Sequence, residues 1–149
     1  MTQTSAAKPT SAFVGASWAA LLAGSVAYCV GLWNATMELN EKGYYFTVLL
    51  FGLFAAVSLQ KSVRDQLEGI TVTPIYFGLA WLSVGAALLL LAVGLWNADL
   101  IPSEKGFYAM SYTLSMFSAV AVQKNIRDLA NSSTEEPHSE ETPVVKEEW

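Results

Sequence analysis

The sequence predicts an all-α integral membrane protein with four transmembrane helices, arranged as two tandem helical hairpins in a parallel pseudo-two-fold repeat. Two observations predict this fold class. Hydrophobic residues make up 53% of the 149 residues and charged residues only 14%, which does not fit an ordinary soluble domain. In addition, residues 31–65 and 94–128 align without a gap at an offset of 63 and share 16 identities over 35 positions. The chain is therefore a duplicated unit of two apolar segments.

Thirteen of the 16 identities fall into three clusters, each present once in each repeat. The first cluster is Gly-Leu-Trp-Asn-Ala, at residues 31–35 and 94–98. The second is Glu-Lys-Gly followed by two aromatic residues, at 41–45 and 104–108. The third is Gln-Lys-x-x-Arg-Asp, at 60–65 and 123–128. Most of the apolar residues between the second and third clusters differ, as lipid-facing helix positions can.

Four apolar segments account for the predicted spans. The first and third, Ala12–Trp33 and Ile75–Trp96, each contain 22 residues without Asp, Glu, Lys, Arg or His. About 20 apolar residues suffice to cross the hydrocarbon core, so both predict spanning helices. The second and fourth, Tyr45–Leu59 and Phe107–Val122, are shorter. We expect them to cross as well, because the lysines that follow can extend their side chains to the interface.

The distribution of lysine and arginine predicts that both ends of the chain are cytoplasmic. Four crossings place six basic residues on the side of the termini and two on the other side, which is the positive-inside pattern. The six are Lys8, Lys61, Arg64, Lys124, Arg127 and Lys146, and the two are Lys42 and Lys105. Because each repeat crosses twice, both repeats have the same orientation, related by an axis along the membrane normal.

The predicted organisation is a cytoplasmic N-terminus (1–11), two repeats (12–68 and 75–130) and an acidic tail (131–149). The tail holds six Glu and one Lys, so the rest of the chain has seven basic and seven acidic residues. Its polar, Glu-rich composition predicts disorder. The net charge of −5 therefore belongs to the tail and indicates no charged partner, such as nucleic acid, for the body.

The Trp-Asn pairs end the long helices. Tryptophan settles at the headgroup level and asparagine tolerates the left-handed geometry that closes a helix, so Trp33-Asn34 and Trp96-Asn97 predict an interfacial anchor and a C-cap. The functional alternative is a polar site in which the two asparagine side chains face each other near the outer interface.

The Glu-Lys-Gly clusters open the short helices. We expect Asn40 and Ser103 to act as N-caps, and Glu41-Lys42 and Glu104-Lys105 to form a hairpin corner with the glutamates in the first turn. The alternative is a ligand site that uses the two glutamates as a carboxylate pair.

The Gln-Lys-x-x-Arg-Asp clusters close the short helices on the predicted cytoplasmic side. Cations there complement the helix dipole and anionic lipid headgroups, which predicts a topology signal and lipid anchor. The aspartates lie within helical reach of the lysines. The alternative is a contact with a cytoplasmic partner. The residues concerned are Gln60, Lys61, Arg64, Asp65, Gln123, Lys124, Arg127 and Asp128.

Small and hydroxylated residues predict the helix contact faces. On the first helix, Gly24 and Gly31 lie on one face, and small residues let helix backbones approach closely in lipid. On the fourth helix, Ser111, Ser115 and Ser118 form a polar stripe, for which packing is the default and a water-lined path the alternative.

Several function classes lack their sequence signature. None of the four spans contains an Asp, Glu, Lys, Arg or His, whereas proton relays and ion-coupled pumps usually place one there. No P-loop, GxSxG or HExxH pattern occurs, and the single cysteine and single histidine cannot form a His/Cys metal cluster. We therefore predict no enzyme activity, no cofactor, and no catalytic or metal site.

The duplicated GLWNA, EKG-aromatic-aromatic and QKxxRD clusters resemble the YiaA/YiaB family of bacterial inner-membrane proteins, which is built around a two-helix domain. The resemblance is closest to the YiaA type, with two such domains, and covers Ala12–Asp128. It implies a location in the bacterial cytoplasmic membrane and implies no reaction. The second copy departs at Ile101-Pro102-Ser103, where the first has Leu39-Asn40 preceded by Glu38.

Two functional hypotheses follow from the sequence. The first is a small structural or accessory membrane protein that contacts membrane lipids and forms a homo-oligomer or binds another membrane protein. The alternative is a passive channel or small-solute carrier with a polar path between the repeats, lined by Asn34, Asn97 and the serine stripe.

Overall fold

A computed structural model describes residues 8–135 of the chain. Its four helices follow one another in the order expected from the apolar segments: α1 (Ser11–Asn34), α2 (Leu39–Leu67), α3 (Pro74–Asn97) and α4 (Pro102–Glu135). The helix α4 continues five residues into the segment predicted as a tail from residue 131 onward. Most of that predicted tail, with the only histidine, lies outside the described residues.

Local sequence explains where the helices begin. Thr10 and Thr73 are the N-caps of α1 and α3. Each side-chain oxygen accepts a hydrogen bond from the backbone amide three residues later in the chain. The helix α3 also has Pro74 in its first turn, where the missing N–H costs nothing. The predicted N-caps of the other two helices were wrong: α2 begins one residue before Asn40 and α4 one residue before Ser103.

Within residues 8–135, the connection between α2 and α3 is the one place where a glycine adopts a left-handed conformation. Gly69 has a φ of 76°, and the amides of Gly69 and Ile70 donate to the carbonyls of Gln66 and Asp65. This pair of bonds is a Schellman motif, which satisfies carbonyls left open at the end of α2. The chain therefore turns sharply toward α3 at this point.

The first helix of each repeat packs chiefly against the second helix of the other repeat. The most extensive contacts are α1 with α4 and α3 with α2, two pairs that are equivalent under the 63-residue offset. The helices α2 and α4 also contact each other, whereas α1 and α2 contact only sparsely. Short loops connect the two helices of each repeat, but these two helices are not each other's main packing partners.

The core lies in the half of the molecule that contains the Trp-Asn and Glu-Lys-Gly clusters. Four buried tyrosines, Tyr28, Tyr45, Tyr108 and Tyr112, lie among leucine and valine side chains from α1, α2 and α3. Two of their hydroxyls donate to backbone carbonyls of α2: Tyr28 to Tyr45 at 2.9 Å and Tyr112 to Val48 at 3.2 Å. These bonds satisfy the buried hydroxyls and join α1 and α4 to α2.

Within the described part of the chain, α1, α2 and α3 are long and apolar enough to cross a membrane, and α4 does not reach the same hydropathy. Large apolar side chains are widely exposed on all four helices, as expected for surfaces that face lipid.

Candidate functional site

The first two sequence clusters meet in two clefts at the same end of the molecule. The first cleft lies between the end of α1 and the start of α4, with a volume of about 280 Å³. The second lies between the end of α3 and the start of α2, with a volume of about 240 Å³. Their linings correspond residue by residue under the 63-residue offset. They are Gly31, Asn34, Ala35, Ser103, Glu104, Phe107 and Tyr108 in the first, and Gly94, Asn97, Ala98, Asn40, Glu41, Tyr44 and Tyr45 in the second.

A glycine in each cleft admits an aromatic ring from the other repeat. A Cβ on Gly31 would lie 2.6 Å from the Phe107 ring, and a Cβ on Gly94 would lie 2.7 Å from the Tyr44 ring. Both distances are too short for real carbon contacts, so the glycine and the ring are matched. In the second cleft the Tyr44 hydroxyl also donates to the Leu90 carbonyl at 2.6 Å. The glycine of the first cluster therefore makes room for the first aromatic residue of the second cluster in the other repeat.

The glutamates of the second cluster cap the helices that they open. The Glu41 carboxylate accepts the Glu38 amide at 3.0 Å, and the Glu104 carboxylate accepts the Ile101 amide at 3.1 Å. Each bond satisfies a backbone donor at a helix start, as in half of a capping box. The glutamates line separate clefts, so they do not form the alternative carboxylate pair.

The lysines of the second cluster close the corners within each repeat. Lys42 donates to the Trp33 carbonyl at 3.0 Å, and Lys105 donates to the Trp96 carbonyl at 3.3 Å. A cation there complements the negative end of the preceding helix. The neighbouring glycines, Gly43 and Gly106, have open space where a Cβ would be, so no close approach requires them.

The Trp-Asn pairs occupy the last positions of α1 and α3. Trp33 and Trp96 are 82% and 84% exposed, as interfacial anchors would be. The expected left-handed asparagine is absent from the described residues, where glycine alone has a positive φ. Instead, Asn34 and Asn97 each donate at 2.8 Å to the carbonyl four residues earlier. They line separate clefts and do not face each other in one site.

The third cluster forms an ion-pair network at the opposite end of the molecule. Arg64 on α2 pairs with Asp128 on α4, and Arg127 on α4 pairs with Asp65 on α2, the latter at 2.7 Å. Both aspartates are at least nine-tenths buried. The arginine of each repeat thus binds the aspartate of the other, and this exchange joins the ends of α2 and α4.

The lysines of the third cluster extend the network outward. Lys61 pairs with Asp65 at 2.6 Å and Lys124 with Asp128 at 2.7 Å, each four residues along its helix. Both lysine side chains are more than half exposed. They therefore remain available at the surface, whereas the arginines are mostly enclosed.

Glu68 is a network member that the sequence clusters did not indicate, because Asn131 stands at the equivalent position of the second repeat. Its carboxylate accepts from Arg64 at 3.0 Å and also pairs with Arg127. The hydrogen bond from Arg64, followed by that from Arg127, lowers the pKa of Glu68 below its ordinary value. Glu68 therefore links the two arginines and stays charged to lower pH.

The amide side chains of the third cluster take no part in the ion-pair network. Gln60 has a buried side-chain oxygen without a hydrogen-bond partner, and so does Asn125, which lies inside the second copy of the cluster. The Asn125 amide donates to Ser17 on α1 at 3.1 Å. Gln123 is partly buried. An asparagine inside an otherwise matched cluster was the available sequence signal for this contact.

The serine stripe of α4 faces α1. Ser111 and Ser115 are buried, and each hydroxyl donates to the carbonyl four residues earlier at 2.8 Å. A Cβ on Gly24 of α1 would lie 2.7 Å from the Ser115 oxygen, so the two helices are in close contact there. The geometry of this stripe is therefore that of a packed interface between helices.

In residues 8–135, no group of three or more His, Cys, Asp or Glu side chains could hold a metal ion.

Comparisons with known proteins identify the family of the chain. The model of the yiaA/B two-helix domain matches the chain twice, at residues 13–65 and 76–128. Inner membrane protein YiaA of Escherichia coli (strain K12) is 54% identical over 138 residues, which cover 93% of this chain and 92% of that protein. Uncharacterized membrane protein YubF of Bacillus subtilis (strain 168) is 40% identical over 60 residues, or 40% of this chain and 69% of that protein. No solved structure matches the chain. The chain is a membrane protein that belongs to the YiaA/YiaB two-helix domain family, of which it carries two copies.

Proposed function

We propose that this protein is a small accessory protein of the bacterial cytoplasmic membrane that acts by binding a second copy or another membrane protein, without catalysis. One observation carries the proposal: the charged groups of the repeated clusters all contact the chain itself. The glutamates cap helices, the lysines close corners, and the arginines and aspartates pair across the repeats. The clusters therefore serve the fold, which leaves the exposed apolar surface for interactions.

The helices α1 and α3 have few buried residues, four each. On α1, only Ser17, Gly24, Tyr28 and Leu32 are buried, all on the side that faces the rest of the chain. The rest of α1 presents large apolar side chains such as Leu22, and α3 does the same. Lipid covers such surfaces, but helix–helix contacts in membranes also use them. The inner-membrane relative supports the same location for this chain.

Four crossings are part of the proposal, although α4 is less apolar than the other helices. Its polar residues, such as Ser115 and Asn125, are buried against α1. Its outward side carries Met110 and Phe117, which are strongly exposed. A helix whose polar groups are satisfied inside the protein can cross with a lower mean hydropathy. The antiparallel packing of α4 along α1 supports the same conclusion.

Chemical crosslinking in native membranes tests the proposed interaction. We expect a dimer or one defined heteromeric band, and mass spectrometry of the crosslinked band identifies the partner. A protein that remains monomeric at every detergent and lipid ratio would contradict the proposal.

The second candidate function is a passive path for ions or small solutes, favoured by the polar contacts along the α1–α4 interface. The Ser25 hydroxyl donates to the Ser115 hydroxyl at 3.3 Å, and the Asn125 amide donates to Ser17. The side-chain oxygen of Asn125 has no hydrogen-bond partner. Flux through folded protein in vesicles, reduced by Ser115→Ala, would support a path. No flux over a panel of ions and small metabolites would exclude this function for those solutes.

A further inference from the structure

A lateral groove runs between α2 and α4 at the end of the molecule that carries the ion-pair network. Its volume is about 510 Å³, within the range of small-molecule sites. The walls are formed by apolar side chains, among them Val63 of α2, Val84 of α3, and Met116 and Val120 of α4. Three polar side chains line it near the network: Gln60, Arg64 and Lys124. The groove is therefore apolar along its length and polar at one end.

The polar end carries an excess of positive charge. The network joins four cations, Lys61, Arg64, Lys124 and Arg127, to three anions, Asp65, Glu68 and Asp128. One positive charge is thus uncompensated within this described network. Lys124 is the exposed member that lines the groove, with 54% of its side chain accessible. An ammonium has three N–H donors, and the contact with Asp128 uses one.

The same end contains an unsatisfied acceptor. The side-chain oxygen of Gln60 is buried and has no hydrogen-bond partner. Buried polar atoms in proteins nearly always have a partner. Because Gln60 lines the groove, a rotation of its side chain would present this oxygen to an occupant that carries a donor.

We propose that the groove binds an anionic phospholipid with a hydroxyl group in its headgroup, of the phosphatidylglycerol class. One acyl chain lies along the apolar walls, and the phosphate contacts Lys124 and the outer edge of Arg64. A headgroup hydroxyl donates to the Gln60 oxygen. The single negative charge of this phosphate balances the network, which a zwitterionic lipid would not do. A phosphate at the end of a hydrocarbon chain also fits the order of apolar and polar groups along the groove.

The duplication supplies a matched control for each contact. Lys61 is the counterpart of Lys124: it makes the same pair with an aspartate four residues on and is equally exposed, but it does not line the groove. Val57 corresponds to Val120 in the same way, and Gln123 corresponds to Gln60. Each pair of variants therefore changes the same residue type at an equivalent helix position, once inside the groove and once outside it.

The test is native mass spectrometry of the full chain with added phosphatidylglycerol, phosphatidylmethanol or phosphatidylcholine of equal acyl length. We expect phosphatidylglycerol to be retained best. Lys124→Gln should reduce its retention about fivefold, from roughly 1 kcal/mol for one basic residue near the bilayer surface, and Lys61→Gln should not. Val120→Trp should fill the groove and reduce the retention of all three lipids, with Val57→Trp as the control.

The hydroxyl contact has its own readout. Phosphatidylmethanol has the same charge as phosphatidylglycerol but no headgroup hydroxyl. We expect Gln60→Met to remove the preference between these two lipids, and Gln123→Met to keep it. Equal losses in the groove variants and their counterparts would overturn the proposal. A photoreactive residue at position 63 that captures only a second copy, or only the segment 136–149, would overturn it as well.

Discussion

At the scale of single residues, the reciprocal arginine–aspartate pairs account for the third cluster in both repeats. Each arginine must reach across to the other repeat, and each aspartate is nearly enclosed by its two cations. Removing one partner leaves a carboxylate in a place with little water, which costs more than the pair itself contributes. The sequence predicted the cations and the lysine–aspartate spacing but not the exchange, because the same residues could pair within or between repeats.

We therefore expect Arg64→Gln to lower the free energy of unfolding in detergent by about 2 kcal/mol, since it leaves Asp128 with Lys124 alone. Lys61→Gln removes a more exposed cation and should cost less than about 1 kcal/mol. Denaturant titration followed by circular dichroism measures both. The exchanged pair Arg64→Asp with Asp128→Arg should recover part of the loss. Equal effects of the two single variants would contradict the reciprocal pairing.

A second prediction at this scale concerns Glu68, whose pKa is lowered in the folded protein by Arg64 and Arg127. As the pH falls, the unfolded chain binds this proton first. The stabilisation by Glu68 is therefore present above the unfolded pKa and is lost as the pH falls through the folded pKa. We expect thermal stability to decrease on acidification, with a smaller decrease in Glu68→Gln. Identical pH profiles of the two proteins would contradict a role for this carboxylate.

At the scale of helices, the positions of the four elements could be predicted, and their partners could not. The apolar runs located the middle of each helix to within a few residues. The starts of α2 and α4 were misjudged because the carboxylates of Glu41 and Glu104 reach back to the amides of Glu38 and Ile101, so each helix begins before the expected cap. In a duplicated sequence, the glycine of one copy could pack against the aromatic residue of its own copy or of the other copy. Only the structure distinguishes the two pairings, and it joins α1 to α4 and α3 to α2.

This pairing predicts which glycines the helices need. Gly31→Ala and Gly94→Ala place a methyl group against the rings of Phe107 and Tyr44, and we expect each to lower the free energy of unfolding by about 1–3 kcal/mol. The controls are Gly15→Ala and Gly78→Ala, which stand at equivalent positions of the same helices in open space and should not destabilise. Unfolding in detergent measures all four. A loss of stability in the controls equal to that in the first pair would contradict the cross-repeat contact.

At the scale of the whole molecule, the first two sequence clusters and the third cluster lie at opposite ends. The Trp-Asn and Glu-Lys-Gly clusters build the clefts and corners at one end, and the ion-pair network lies at the other. Because every helix runs between these ends, the network and the described N-terminal residues lie on the same side of the proposed membrane. Of the seven Lys and Arg residues within residues 8–135, only Lys42 and Lys105 lie at the cleft end. The positive-inside rule then predicts that the network is cytoplasmic.

The orientation can be tested with reporter proteins fused at different positions of the chain. A reporter after Asn131 should be active only when it functions in the cytoplasm, and one near Ser103 only when it functions outside. Lys61→Asn with Lys124→Asn should loosen this orientation, because the bias of basic residues falls from six against two to four against two while the arginine–aspartate pairs are retained. Cytoplasmic reporters both at Ser103 and after Asn131 in the unmutated protein would contradict four crossings. Since α2 and α4 carry matching ends of one ion-pair network, both must then end on the same side, and the failure would lie in the number of helices that cross.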